Sequence, residues 1–168
     1  MFCSPSERQF EQTVRAYSAD LYRYAYWLCR DRFVAEDLVQ QTFERAWKNW
    51  QALQNIDCVK SWLITILRHE HARLYQRKRF DTVDDDPETL DLPASMQADS
   101  QLELEQMMEA LPLAYREPLL LQTLGGYSCS EIADMLGTSE GAVMTRLTRA
   151  RHALRAHLAA LDQKKVPK

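Results

Sequence analysis

The sequence has very little glycine, and what it has is crowded together. All four glycines (Gly125, Gly126, Gly137, Gly141) fall in one short stretch. Between Pro5 and Pro87 there is neither glycine nor proline. Tight hairpins need such residues at their turns, so this region is hard to build from paired strands. Long helices joined by polar connections are the natural reading. Cysteine is scarce as well. Cys3, Cys29, Cys58 and Cys129 are too far apart for a CxxC motif or a compact disulfide framework, which suits a reducing compartment. No stretch approaches eighteen consecutive apolar residues, so no membrane insertion is expected. A basic start followed by an apolar run and a small-residue cleavage site is missing, so no secretory leader is expected either.

Enzyme signatures are missing too. The chain shows no phosphate-cradling glycine loop, no paired-carboxylate signature and no nucleophile elbow, so it is not expected to be an enzyme. Cys58 with His69 and His71, or Cys129 with His152, do not match zinc spacings, and residues 69 and 71 would point to different sides of a helix. Neither a metal nor another cofactor is expected.

What remains is an ordinary globular composition over 168 residues, 46% hydrophobic and 27% charged. The net charge of −3 hides strong segregation. Residues 81–99 carry seven acids, two prolines and no Lys or Arg. So few apolar groups cannot offset the entropy of ordering, and the stretch reads as a flexible acidic linker. The expected organisation is a helical module at 6–80, a linker at 81–100 and a second helical module at 101–161.

Apolar spacing supports helices in both modules. Phe10, Val14, Tyr17, Leu21, Ala25 and Leu28 recur in steps of three and four. Leu38, Val39, Phe43, Ala46, Trp47 and Trp50 form a second stripe, and Val59, Trp62, Leu63, Ile66 and Leu67 a third. Trp62 lies on the apolar stripe, which favours core packing over base stacking. Leu102, Leu104, Met107, Met108 and Leu111 suggest a helix ended by Pro112. Another is expected from about Tyr115 to Leu124, with Pro118 in its first turn and a stop at Gly125-Gly126.

The most specific local pattern is SCSEIADMLGTSEGAVMTRLTRARHALR, residues 128–155. Ser128 and Glu131 have capping-box spacing. Ile132, Ala133 and Leu136 give a short apolar face, and Gly137 sits where the chain must turn. Thr138 or Ser139 can cap the next helix, whose inner stripe is Val143, Leu147, Ala150, Leu154 and Leu158. Its other faces carry Thr145, Arg146, Thr148, Arg149, Arg151 and Arg155, with no acid between residues 144 and 157. A short helix, a glycine turn and a second helix with outward hydroxyls and guanidiniums make a DNA-reading helix-turn-helix. A helical hairpin with a solvated basic face is the plainer alternative. In the first module, RHEHARLYQRKR (68–79) has five Lys or Arg against one acid, with Tyr75 and Phe80 interleaved. That suits a nucleic-acid strand, and it equally suits a solvated helix end whose cations favour the C-terminal dipole.

Three segments together resemble a known family. LYRYAYWLCRDRFVAEDLVQQTFERAWKNW (21–50), VKSWLITILRHEHARLYQRKR (59–79) and LPLAYREPLLLQTLGGYSCSEIADMLGTSEGAVMTRLTRARHALR (111–155) look like a bacterial extracytoplasmic-function (ECF) sigma factor. AEDLVQQTF, SWL and RLTRAR are modest signals singly and specific jointly. The resemblance implies an all-helical, two-domain specificity subunit of bacterial RNA polymerase. Its first domain would bind the clamp of the largest core subunits, capture the minus-ten element and help melt it. Its second would read the minus-thirty-five duplex. Promoter DNA, core polymerase and an anti-sigma factor are the implied partners, and the cytoplasm the implied location.

Carried onto this chain, the resemblance puts clamp binding on Asp37, Gln40, Gln41 and Glu44. Their spacing of three, four and seven places them on one face, expected to point away from Leu38, Val39, Phe43 and Trp47. The loop from Gln51 to Lys60 corresponds to the family's pocket for a flipped minus-ten base, with Asn55 and Asp57 as candidate polar edges. Minus-ten contacts extend to Arg73, Arg77, Lys78 and Arg79, and upstream contacts to Thr145, Arg146, Thr148, Arg149 and Arg151. Arg68-His69 and Arg73 depart from the family's usual Arg-Asn and following acid, and Met144 stands where a basic residue is common. These changes touch the faces that choose DNA sequence. A stand-alone helix-turn-helix regulator is the competing reading, though such a protein needs neither the polar clamp face nor the first basic-aromatic helix.

Overall fold

A computed structural model describes residues 5–76 and 100–164. The linker expected over 81–100 lies outside the described residues except for Ser100, as do Arg77, Lys78 and Arg79. The chain divides into two compact units, 1–83 and 84–168. Among the described residues the regular structure is helical throughout.

The first unit packs three helices: α1 (Pro5–Cys29), α2 (Arg32–Lys48) and α3 (Val59–Gln76). The reversal from α1 to α2 uses no glycine. Arg30 takes a left-handed backbone, φ 58°. That conformation costs a residue with a side chain roughly 1–2 kcal/mol. Two interactions offset it. The guanidinium lies 4.7 Å from the ring centroids of both Tyr26 and Trp27, and Arg30 N–H donates to Tyr26 O at 2.7 Å. Asp31 then starts α2, its Oδ1 accepting from the N–H groups of Phe33 and Val34 at 2.8 and 3.0 Å.

The core of this unit is Leu21, Tyr24, Ala25, Leu28, Ala35, Leu38, Ala46, Leu63, Ile64 and Leu67. The three expected stripes supply most of it. Tyr24 and Ile64 lie beside those stripes and are buried as well. Thr42 is buried on the same side because its hydroxyl donates to Leu38 O at 2.6 Å, which removes the cost of an unpaired polar group. At one end, Phe10 packs against Phe43, Trp47 and Trp50, with the two tryptophan centroids each 5.0 Å away. Trp62 is half-buried with its ring 6.2 Å from that of Trp50.

The second unit comprises α4 (Ser100–Ala110), α5 (Leu113–Thr123), α6 (Cys129–Leu136) and α7 (Glu140–Lys164). Its core joins Met107, Met108, Leu111, Tyr115, Leu119, Leu120, Leu121, Ile132, Val143, Leu147 and Ala150. Pro112 separates α4 from α5, and Arg116 closes the end of α4 by donating to the carbonyls of Glu109 and Leu111 at 2.8 and 2.9 Å. Because α5 begins at Leu113, Pro118 falls inside the helix and not in its first turn as expected. The ring is buried, so apolar packing accompanies the lost backbone bond.

The helix-turn-helix has the expected joints. Glu131 N–H donates to Ser128 Oγ at 3.3 Å and Ser128 N–H donates to Glu131 Oε2 at 2.8 Å, a complete capping box. Gly137 ends α6 with φ 63°, a left-handed position that disfavours any side chain. Ser139, not Thr138, caps α7, its Oγ accepting from Ala142 N–H at 3.2 Å. Along α7 the inner stripe departs from expectation at its far end. Ala153 is buried, Leu154 is half-buried and Leu158 is 48% exposed. A straight helix advances slightly more than a seven-residue repeat allows, so the stripe drifts off the partner helices.

Candidate functional site

Three surfaces carry the residues singled out from the sequence. The first is the outer face of α2. Asp37, Gln40 and Glu44 are exposed and Gln41 is half-exposed. They form two rungs along the helix. Gln41 Nε2 donates to Asp37 Oδ2 at 2.6 Å, and Gln40 Nε2 donates to Glu44 Oε1 at 3.3 Å. Trp47 does not point away from them. It is 45% exposed and sits seven residues from Gln40 on the same side, because Ala46 and not Trp47 occupies the buried seam. Phe33 lies seven residues before Gln40 on that side and is 80% exposed. The face is therefore a polar ladder with a large apolar group at each end. Sequence reasoning missed Phe33, which lies outside the apolar stripe of α2, and only its position in the first turn could have signalled its exposure.

The second surface is the connection from α2 to α3 with the far end of α3. The loop is more structured than a plain connection. It contains two 3₁₀ turns, Trp50–Ala52 and Ile56–Cys58, and Val59 and Lys60 belong to α3. Asn55 Oδ1 accepts from Asp57 N–H at 2.9 Å, and both residues are exposed. Ile56 between them is 43% exposed. Lys60 ties the loop's end to α1 through Asp20 Oδ2 at 3.1 Å.

Arg73 is exposed near the end of α3, where its Nη1 pairs with Glu70 Oε2 at 3.4 Å. Glu70 is almost fully buried and also pairs with Arg45 of α2. One acid thus ties α2 to α3 and fixes a guanidinium at the edge of the second surface. Glu70 entered the sequence reading only as the lone acid in a basic run.

The third surface is α7. Thr145 and Thr148 are exposed on its outer face, and each hydroxyl donates back to the helix, to Gly141 O at 2.9 Å and Met144 O at 2.8 Å. Arg149 and Arg151 flank that face. Arg149 Nη1 donates to Tyr115 Oη at 3.3 Å, and Arg151 Nη2 donates to Gln122 Oε1, so both are braced on α5. Arg146 does not face outward as expected. It is half-buried, three residues from Val143 and four from Ala150, on the flank next to the core. Met144 is 55% exposed on the outer face.

Burial pushes the Cys29 thiol above its ordinary range, which favours the protonated form. Among the described residues no three His, Cys, Asp or Glu side chains gather as a metal site. Nor, among them, is any helix long and apolar enough to cross a membrane.

Comparison with known proteins now bears on these surfaces. Residues 13–80 match the family model for Sigma-70 region 2, and residues 101–154 match that for Sigma-70 region 4. The chain is 31% identical to the ECF RNA polymerase sigma factor SigC of Mycobacterium tuberculosis over 155 residues, covering 89% of this chain and 83% of the relative. The chain belongs to the ECF sigma factors of the sigma-70 family. It is 25% identical to the ECF sigma factor SigX of Bacillus subtilis, over 94% of this chain and 87% of that one. The sigma factor RpoE of Bartonella quintana, solved in complex with the anti-sigma factor NepR, superposes with a TM-score of 0.73. The two share 27% identity over 90% of this chain and 98% of that one. As an ECF sigma factor the chain serves RNA polymerase in promoter-directed transcription initiation. The first two surfaces lie on its region 2 and the third on its region 4.

Proposed function

We propose that this sigma factor divides its work among the three surfaces. The outer face of α2 docks on the clamp of core RNA polymerase through Asp37, Gln40, Gln41 and Glu44. Phe33 and Trp47 are its apolar anchors. Buried aromatic anchors ringed by polar contacts are the usual arrangement of binding energy at protein interfaces. The loop beside α3 receives a minus-ten base between Asn55 and Asp57. Arg73, with Arg77, Lys78 and Arg79 beyond the described residues, holds the separated strand. A protein that binds the exposed strand better than the duplex draws the equilibrium toward opening.

Region 4 reads the minus-thirty-five duplex with α7. Thr145 and Thr148 meet the groove, Arg149 and Arg151 brace the helix and hold phosphate, and Arg146 reaches phosphate from the core flank. The domains run over 6–80 and 101–161, joined by the acidic linker 81–100. The chain has no catalytic role of its own; the polymerase supplies the chemistry. An anti-sigma factor, as bound by the Bartonella quintana relative, is its regulator, and the cytoplasm is where it works.

The observation that best supports this reading is the capped helix-turn-helix of region 4 following a region 2 whose α2 exposes its polar ladder. Permanganate reactivity of thymines tests it, on a promoter recovered with this chain. Core polymerase and the chain together are expected to expose thymines around the minus-ten element, and neither alone should do so. If the pair leaves every thymine protected, the reading is wrong.

A further inference from the structure

Over its first turns, from Gly141 to Thr148, the outward face of α7 is poor in hydrogen-bond donors and rich in methyl-sized groups, and the exposed Arg149 and Arg155 come later along the helix. Met144 is 55% exposed there. Thr145 and Thr148 stand beside it, and each has given its hydroxyl proton to a helix carbonyl, at 2.9 and 2.8 Å. A hydroxyl has one proton to donate, so each threonine offers a partner only lone pairs and a methyl. Gly141, one turn before Thr145, is exposed and adds no side chain. A Cβ at that position would meet nothing within 4 Å, so packing does not demand the glycine. The guanidiniums of Arg149 and Arg151 lie on the flanks, braced against Tyr115 and Gln122.

Base pairs ask for different complements in the major groove. Guanine shows two acceptors, which call for donors such as arginine. Thymine shows a methyl group, and adenine and cytosine show an amino donor. A thioether, two threonine methyls and acceptor lone pairs complement the second set. The thioether is polarizable and flexible, so it can settle against a methyl without a demanding geometry.

We infer that the upstream element is read chiefly through thymine C5-methyl groups, with Met144 as the specificity-determining residue and Thr148 beside it, instead of through arginine–guanine pairing. This rests on α7 being the duplex-reading helix proposed above. Deoxyuridine in place of thymidine deletes the methyl and keeps every hydrogen-bonding edge, so it isolates the claim. Promoters are first selected from a library randomised upstream, using holoenzyme assembled from core polymerase and the full chain. Each upstream thymine is then replaced by uracil, and holoenzyme binding is measured.

At one position or more the loss of methyl is expected to weaken binding about fourfold, the factor that burying one methyl-sized group supplies. Met144→Ala should bind the thymine and uracil forms equally at such a position, and Thr148→Ser should do so at a neighbouring one. Both side chains are exposed, so the variants are expected to keep the wild-type circular dichroism and melting point. The inference is overturned if no upstream methyl affects binding, or if every methyl effect survives unchanged in Met144→Ala. If scrambling the whole upstream element leaves binding unaltered, the duplex-reading role of α7 has failed, and this inference with it.

Discussion

Single residues carry the joints of this molecule. Ser128 is the clearest case, because its hydroxyl and N–H both serve the start of α6. Ser128→Ala is expected to cost about 1 kcal/mol of stability, measured by denaturant unfolding. The partner carboxyl of Glu131 is held below the ordinary carboxylate range, first by the Ser128 backbone N–H and then by its hydroxyl. A depressed value in the folded state means that this stabilisation is complete above the ordinary carboxylate range. It is lost as pH falls through the lower, folded-state value. The protection of amides at the start of α6, corrected for their intrinsic exchange rates, should therefore fall on acidification. The step should be smaller but still present in Ser128→Ala, which keeps the backbone N–H and loses only the hydroxyl. Gly141 makes the opposite case. Gly141→Ala is expected to raise stability by about 0.5–1 kcal/mol, since alanine suits a helix better and the site is open. It should also weaken promoter binding, because a methyl group would then stand where α7 approaches DNA. A variant that gains stability with no loss of binding would show that Gly141 does not face the duplex.

Elements show what the sequence could and could not reveal. The glycine at 137 and the Ser128–Glu131 spacing announced α6 and its turn, because caps are local chemistry. The apolar stripes of α1, α2 and α3 were legible for the same reason. Facing was less so. A stripe does not say where the partner helix ends, and this is why Trp47 and Leu158 come out more exposed than their spacing suggests, and Arg146 less. Long-range pairs were not legible. Nothing in the spacing of residues 45 and 70 hints that Arg45 and Glu70 meet. Glu70→Ala is expected to cost about 1–3 kcal/mol, because two arginines lose a charged partner, although both are partly exposed. It should also impair promoter opening more than core binding, since Arg73 loses its anchor. Equal loss in both would mean that Glu70 only stabilises the fold. On α2, Phe33→Ala is expected to lower affinity for core polymerase at least tenfold with the melting temperature unchanged, because its ring touches little in the free protein. Unaltered affinity would remove Phe33 from the docking face.

At the scale of the whole molecule, two small helical units each have a core of their own, and each matches one sigma-70 region. Separate cores permit the separate tasks proposed for them, one unit for the clamp and the melting strand and the other for duplex DNA upstream. Composition made that division visible, since no core can be built from residues 81–99 with their seven acids. The two DNA surfaces should then fail independently. Arg149→Ala is expected to weaken use of promoters that depend on the upstream element, and to spare opening of a template already melted at minus ten. The most direct measurement is start-site mapping with sigma-free core polymerase on a randomised promoter library, with and without the chain. The account predicts defined start points that appear only when the chain is present, with a shared upstream and a shared minus-ten sequence. Start points unchanged by the chain, despite intact helical content, would contradict it.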